Sequence, residues 1–182
     1  QLFDYRLHRL RGRIDFSNER VDVVSLTALG PKGGQVKIAG TVSPPKRGAE
    51  VQLTITGDDI PIDQSLLNAM APTHRSIYQM LAHQTAYRSL VEIGVIQSNG
   101  GSKPMVPQFN LGGQINVRVD IHRPLGANQN FEITSTIKPI TVGLLLEYWP
   151  YPLTIMGGKI IVAPEKTLIE DIEAVGPTGA KV

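Results

Sequence analysis

The residues most able to do chemistry in this chain are its four histidines, His8, His74, His83 and His122. Imidazole is the side chain readiest to ligate a metal or move a proton near neutral pH. None of the four shares the i, i+4 or Cys/His spacing of a metal site, and on one helix His74 and His83, nine positions apart, would project about 180° from each other. The sequence "GDD" at 57–59 is a candidate cation contact, but it lacks the spaced acidic loop of a calcium module. A strand end followed by an Asp63 helix cap accounts for these carboxylates without an ion. The chain has no cysteine, so a disulfide, a thiolate zinc site and a cysteine nucleophile are all excluded. No G-x-S-x-G elbow, G-x-x-x-x-G-K loop or G-x-G-x-x-G turn occurs. Ser25 with Asp22, and Ser135 with Glu132, alternate along strands as solvated residues do. The aromatic concentration "EYWPYP", with Tyr148, Trp149 and Tyr151, has the chemistry to stack on a sugar, and a hydrophobic plug at a strand edge is the simpler assignment. The sequence therefore nominates no catalytic residue, no metal ligand and no cofactor, and the chain is expected not to be an enzyme.

The elements that would carry these residues are mostly strands. Period-two alternation sets Val36, Ile38 and Val42 on one side, then Val51, Leu53 and Ile55, then Ile115, Val117, Val119 and Ile121 against Asn116, Arg118, Asp120 and His122. The same pattern predicts strands at 11–16, 20–29, 131–137, 141–147, 157–162 and 167–175. Turn chemistry separates them at Ser17-Asn18, Gly30-Pro31-Lys32-Gly33-Gly34, Pro44-Pro45, Gly126-Ala127-Asn128 and Pro164-Glu165. One region breaks the pattern. Asp63 caps an expected helix through Met70, and Pro72-Thr73 opens a second running through Leu81 and on toward Ile93, with Ile77, Leu81, Tyr87, Leu90 and Val91 as its apolar stripe. A polar Gly/Pro loop is expected at 97–110. The fold class is α+β, predominantly antiparallel β. It is a meander of about nine strands, either a curved groove or an open sheet, with a short helical insertion at 63–93 on or beside the apolar face.

Eighteen Lys and Arg against 16 Asp and Glu leave a net charge of +2, too little for a nucleic-acid footprint. The run "YRLHRLRGR" at 5–13 interleaves its charges with apolar residues, as one solvated strand face does. No apolar run approaches the roughly 20 residues that span a bilayer, and no signal-peptide core is present. The chain is thus either cytosolic or an excerpt of a longer protein. The second is expected from an internal repeat. Residues 3–36 lie on 149–182 without a gap at an offset of 146, with 10 of 34 positions identical, including Tyr5/Tyr151, Gly12/Gly158, Ile14/Ile160, Ala28/Ala174 and Gly30/Gly176. Composition alone would give about two. Residues 1–148 then form one unit and 149–182 begin the next, in phase with 3–36. The paired glycines of "YPLTIMGGKI" and "LGGQI" are expected to let the backbone bend into a new strand.

About nine strands present aliphatic side chains on one side, and two modest helices would cover only part of them. Such a surface is buried by a core, by neighbouring repeats or by a ligand. Its candidate lining is Val36, Ile38, Val51, Leu53, Ile55, Ile115, Val117, Val119, Phe131 and Ile133. A trough of this kind suits acyl chains, each buried methylene contributing about 0.8 kcal/mol.

The segments "EVQLTITGDDIPIDQSLLNAM", "GGQINVRVDIHRP" and "YWPYPLTIMGGKI", followed by a strand leading to a G-P-x-G turn, resemble the repeating unit of the AsmA-like and TamB-like envelope proteins of diderm bacteria. The resemblance covers most of the chain. It implies a twisted sheet folded into a taco-shaped groove with a hydrophobic interior, in a periplasmic protein anchored to the inner membrane that conducts phospholipids toward the outer membrane. The helical insertion departs from the plainest repeats of that family. Helices lying in the trough would make the segment a spacer rather than a conduit. The rival expectation is a structural or adhesive cell-surface β-repeat, in which the same strands form a sandwich core and the aromatic cluster at 148–151 and the loop at 97–110 bind a protein or glycan.

Overall fold

A computed structural model describes residues 5–70, 72–82, 84–92, 111–149, 151–176 and 179–181. Eight strands make one sheet, β1 His8–Phe16, β2 Val21–Gly30, β3 Gly33–Ser43, β4 Glu50–Pro61, β5 Gly112–Arg123, β6 Glu132–Leu144, β7 Leu153–Val162 and β8 Thr167–Val175. They pair antiparallel in sequence order throughout, so the sheet is an open meander with β1 and β8 at its edges. Three short helices, α1 Gln64–Ala69, α2 Pro72–Leu81 and α3 Gln84–Glu92, stand between β4 and β5. β4 and β5 nevertheless pair directly, Val51 opposite Arg123 through to Pro61 opposite Gln114. Among the described residues no helix is long and apolar enough to cross a membrane.

The expected strands at 131–137 and 141–147 are one strand, β6, which runs through the buried Pro139. Proline donates no ladder hydrogen bond, so a proline inside a strand reads as its end. The sheet accommodates it with a bulge, the register slipping between Gln114/Thr141 and Ile115/Pro139. The long second helix is also two. In a continuing helix the carbonyls of Met80 and Leu81 would accept from residues 84 and 85. They accept instead from Glu147 N (3.1 Å) and Leu145 N (2.8 Å) at the end of β6, which ends α2 at Leu81. His83, Ile93 and the loop expected at 97–110 lie outside the described residues, as do the side chains of His74, Ile77 and Tyr87.

The first helix is built from its caps, since six residues form no stable helix alone. Asp63 is extended (φ −125°, ψ 179°) and accepts the Leu66 N–H at 3.0 Å, while Met70 N donates back to Leu66 and Leu67. Arg75 of α2 then donates to the carbonyls of Leu67 (2.8 Å), Asn68 (2.9 Å) and Met70 (3.3 Å), satisfying the C-terminal end of α1.

The hairpin β7–β8 reproduces β1–β2 at the 146-residue offset. His8–Leu29, Arg11–Thr27, Ile14–Val23 and Phe16–Val21 become Thr154–Val175, Gly157–Glu173, Ile160–Ile169 and Val162–Thr167. Gly12 and Gly158 do not open their strands. Both sit inside, Gly12 in regular register opposite Leu26 between two register shifts and Gly158 within one, with φ of 148° and 98°. A Cβ at Gly12 would enter Ser25 O, and one at Gly158 would lie 2.6 Å from Asp171 O, the equivalent residue. Tyr5 OH would lie 2.6 Å from a Cβ on Gly30, as Tyr151 OH would lie 2.5 Å from one on Gly176. The register shift between His8 and Arg11, with Arg9 at φ 54°, also breaks the alternation expected through 5–13 and leaves Leu10 59% exposed.

Burial is concentrated at one end of the sheet. Leu145, at the end of β6, is the largest fully buried side chain among the described residues and packs against Leu90, Val91 and Leu111. Beside it, Val142, Ile155 and Ala174 form a cluster with Ile62, Ile115, Leu144, Leu153 and Ile172. Half of the buried apolar residues are alanines (Ala28, Ala49, Ala69, Ala82 and Ala174, against Val36, Ile60, Val142, Leu145 and Ile155). That is the sign of a single layer closed at one end, not of a sandwich core.

Candidate ligand-binding face

Residues directly opposite in antiparallel strands share a face, so the registers sort the side chains without ambiguity. One transverse row runs Gly12, Leu26, Ile38, Ile55, Val119, Ser135, Val162, Thr167 across all eight strands. The next runs Ala28, Val36, Gly57, Val117, Ile137, Ile160, Ile169. On the other side of the first, Ile14, Val23, Gly40, Leu53, Ile121 and Ile133 form a third. At about 4.8 Å per strand this aliphatic surface is about 34 Å wide.

Nine of the ten expected lining residues share this face. Val36 is buried, Ile38, Val51, Leu53, Ile55, Ile115, Val117 and Val119 are half-buried, and Ile133 is 46% exposed. Phe131 precedes β6 and lies beyond the ladder, its ring 5.6 Å from the Arg123 guanidinium. The face also includes Val23, Leu26, Ile137, Ile160 and Val162. A bulge between Val23 and Leu26 shifts the alternation there and hides the pair from a period-two reading. Arg123 shares the parity of Val117, Val119 and Ile121, and that parity was the available signal. Its guanidinium donates to Gln129 O (3.0 Å), Ala49 O (2.9 Å) and Gly126 O (3.0 Å), so it staples two loops at the open end of the face.

The opposite face is polar. Arg118 donates twice to Asp120 at 2.8 Å, Thr54 donates to the same carboxylate at 2.7 Å, and Lys37 pairs with Asp58 at 3.6 Å. The Arg118 hydrogen bonds hold the Asp120 carboxyl below its ordinary pKa, opposed by partial desolvation and helped by Thr54. Exposed pairs of this kind contribute little stability, but they mark the solvated face. A shallow depression there, bordered by Thr41, Gln52, Thr54, Asp120 and His122, offers no nucleophile beside a base. His122 lies 3.4 Å from Glu132. Ser135 faces Val119 on the apolar side and Glu132 faces His122 on the polar side, which separates that candidate pair. Asp58 is taken by Lys37, and Asp59 donates its N–H to Asn116 Oδ1 at 2.9 Å. Among the described residues no three His, Asp or Glu side chains gather to hold a metal.

Trp149 stacks on Tyr151 with centroids 5.3 Å apart and planes at 12°, and Trp149 and Tyr148 are 59% and 85% exposed. The chain matches no protein-family model, no curated protein and no solved structure.

Proposed function

We propose that this chain is a non-enzymatic segment of a periplasmic AsmA-like protein, in which the sheet curves into a hydrophobic groove that takes phospholipid or other acyl chains during lipid transport or envelope biogenesis. The observation that carries the reading is the set of mainly aliphatic rows across the sheet, broken only by glycines, Ser135 and Thr167, set against a reverse face threaded with ion pairs. Leu90 and Val91 of α3 pack on Leu145 at one end of the sheet, and strand residues and Ile62 surround the Val142 cluster, an arrangement compatible with a conduit. In this reading 1–148 is one unit and 149–182 opens the next, adjacent repeats of a parent anchored in the inner membrane extend the groove, and nucleic acid is not a partner.

The test is displacement of an environment-sensitive fluorescent fatty acid by phospholipid on the purified chain. Ile55→Glu and Val119→Glu weaken binding at least tenfold, while Thr56→Glu on the reverse face leaves it unchanged. Absence of saturable binding, or equal losses on the two faces, would count against the groove.

The exposed Trp149–Tyr151 stack favours a second reading, an adhesive or structural cell-surface β-repeat that binds a protein or glycan partner there. Under that reading Trp149→Ala abolishes glycan binding on an oligosaccharide array and leaves the fatty-acid signal untouched.

A further inference from the structure

The equivalence of the two hairpins shows what each sheet edge lacks. β7 has β8 on one side and β6 on the other, paired as Ser135–Val162, Thr136–Ile161, Ile137–Ile160, Val142–Ile155, Gly143–Thr154 and Leu144–Leu153. β1, which repeats β7, has β2 on one side and, among the described residues, no strand on the other. The side chains register the difference. Ile14 and Phe16 are 37% and 74% exposed, whereas their equivalents Ile160 and Val162 are half-buried beside β6.

We infer that the free edge of β1 is a docking site for a strand of the β6 type carried by another unit of this kind. Moved back by 146 residues, the β6–β7 register specifies the complex. The partner's equivalent of Ser135 faces Phe16, that of Ile137 faces Ile14, that of Gly143 faces His8, and that of Leu144 faces Leu7. The N–H and C=O groups on the side of β1 away from β2 supply the hydrogen bonds, and the alternation of the incoming strand continues the aliphatic rows past Ile14 and Phe16. The β8 edge calls for a different partner. β8 repeats β2, whose other neighbour is β3, and Val175 already bridges Lys181 in the register of Leu29 with Gln35. The two edges are therefore not complementary to each other, and head-to-tail pairing of β8 on β1 is not the expected assembly.

The test splices a second copy of residues 132–150 directly ahead of Tyr5, reproducing the junction that precedes Tyr151. Hydrogen exchange of β1 amides slows at least tenfold relative to the unextended chain. Because the chain has no cysteine, register is read by disulfide trapping: Ile14→Cys couples to Ile137→Cys in the added copy and not to Thr136→Cys. Unchanged exchange in β1 while β2–β8 stay protected, equal trapping at the two positions, or capture by Ile169→Cys on β8 would each overturn the inference. Should the extended chain not fold, a synthetic 132–144 peptide carrying the same cysteines is trapped on the unextended Ile14→Cys protein in a glutathione buffer, and the same criteria decide. Lipid displacement from β3–β6 does not enter these readouts, so the groove and the edge site fail separately.

Discussion

The hairpins β1–β2 and β7–β8 share most of their pairing, a positive-φ glycine at the same place and the same Tyr-on-Gly contact, yet their burial patterns are crossed. Ile14 on β1 is exposed where Ile160 on β7 is half-buried, and Ile169 on β8 is 66% exposed where Val23 on β2 is half-buried. In each case the better covered residue has strands on both sides and the exposed one lies at an edge. Burial on this face thus comes from lateral neighbours within one sheet. A second layer would bury edge and centre more alike. That is why the described core holds one large fully buried residue, Leu145, at the end where α3 and Leu111 meet β6.

The sharpest way to break this comparison is to load both positive-φ glycines. Gly158→Val forces a side chain against Asp171 O in a strand held from both sides, and should cost about 3 kcal/mol in urea unfolding. Gly12→Val meets Ser25 O, but β1 is free to shift outward, so about half that loss is expected. Equal losses would mean the edge is as constrained as the interior. Next in size, Ile160→Ala should cost about 1.5 kcal/mol and Ile14→Ala about 0.5, with Val23→Ala likewise exceeding Ile169→Ala. A reversed order in either pair contradicts lateral burial.

The smallest effect is a pH dependence at Tyr5. Burial, and secondarily the Asp63 carboxylate, raises the Tyr5 pKa above its ordinary 10.0. The folded chain therefore favours the neutral phenol. The associated stability is fully present below the ordinary tyrosine pKa and is lost as pH rises through the higher folded value. Tyr5→Phe should lessen the fall in melting temperature as pH rises above the ordinary tyrosine pKa of 10.0. An unchanged slope would place the dependence on another group.

Much of the sheet was legible because its cause is local. Alternation in 36–42, 51–55 and 115–121 placed eight of the expected lining residues on one face, and that in 131–137 a ninth, Ile133; Asp63 and Met70 bounded α1, and the repeat at offset 146 has its counterpart in the two hairpins. What the sequence hid is non-local. Pro139 looks like a strand end until a bulge absorbs its missing donor, which turns nine expected strands into eight. The break after Leu81 arises because residues 145 and 147, more than sixty positions away, claim its carbonyls. Phe131 has the right parity but falls outside the ladder, where Arg123 covers it. The face's own limits at β1 and β8 emerged only once the registers of the two hairpins could be set side by side.

The most direct test of the account is photo-crosslinking with a phospholipid that carries a diazirine at the end of its acyl chain, followed by peptide mapping. The account predicts adducts along Ile38, Ile55, Val119 and Ile137 and none at Thr54, Thr56 or Arg118. Adducts distributed over both faces, or gathered at Trp149, would contradict it.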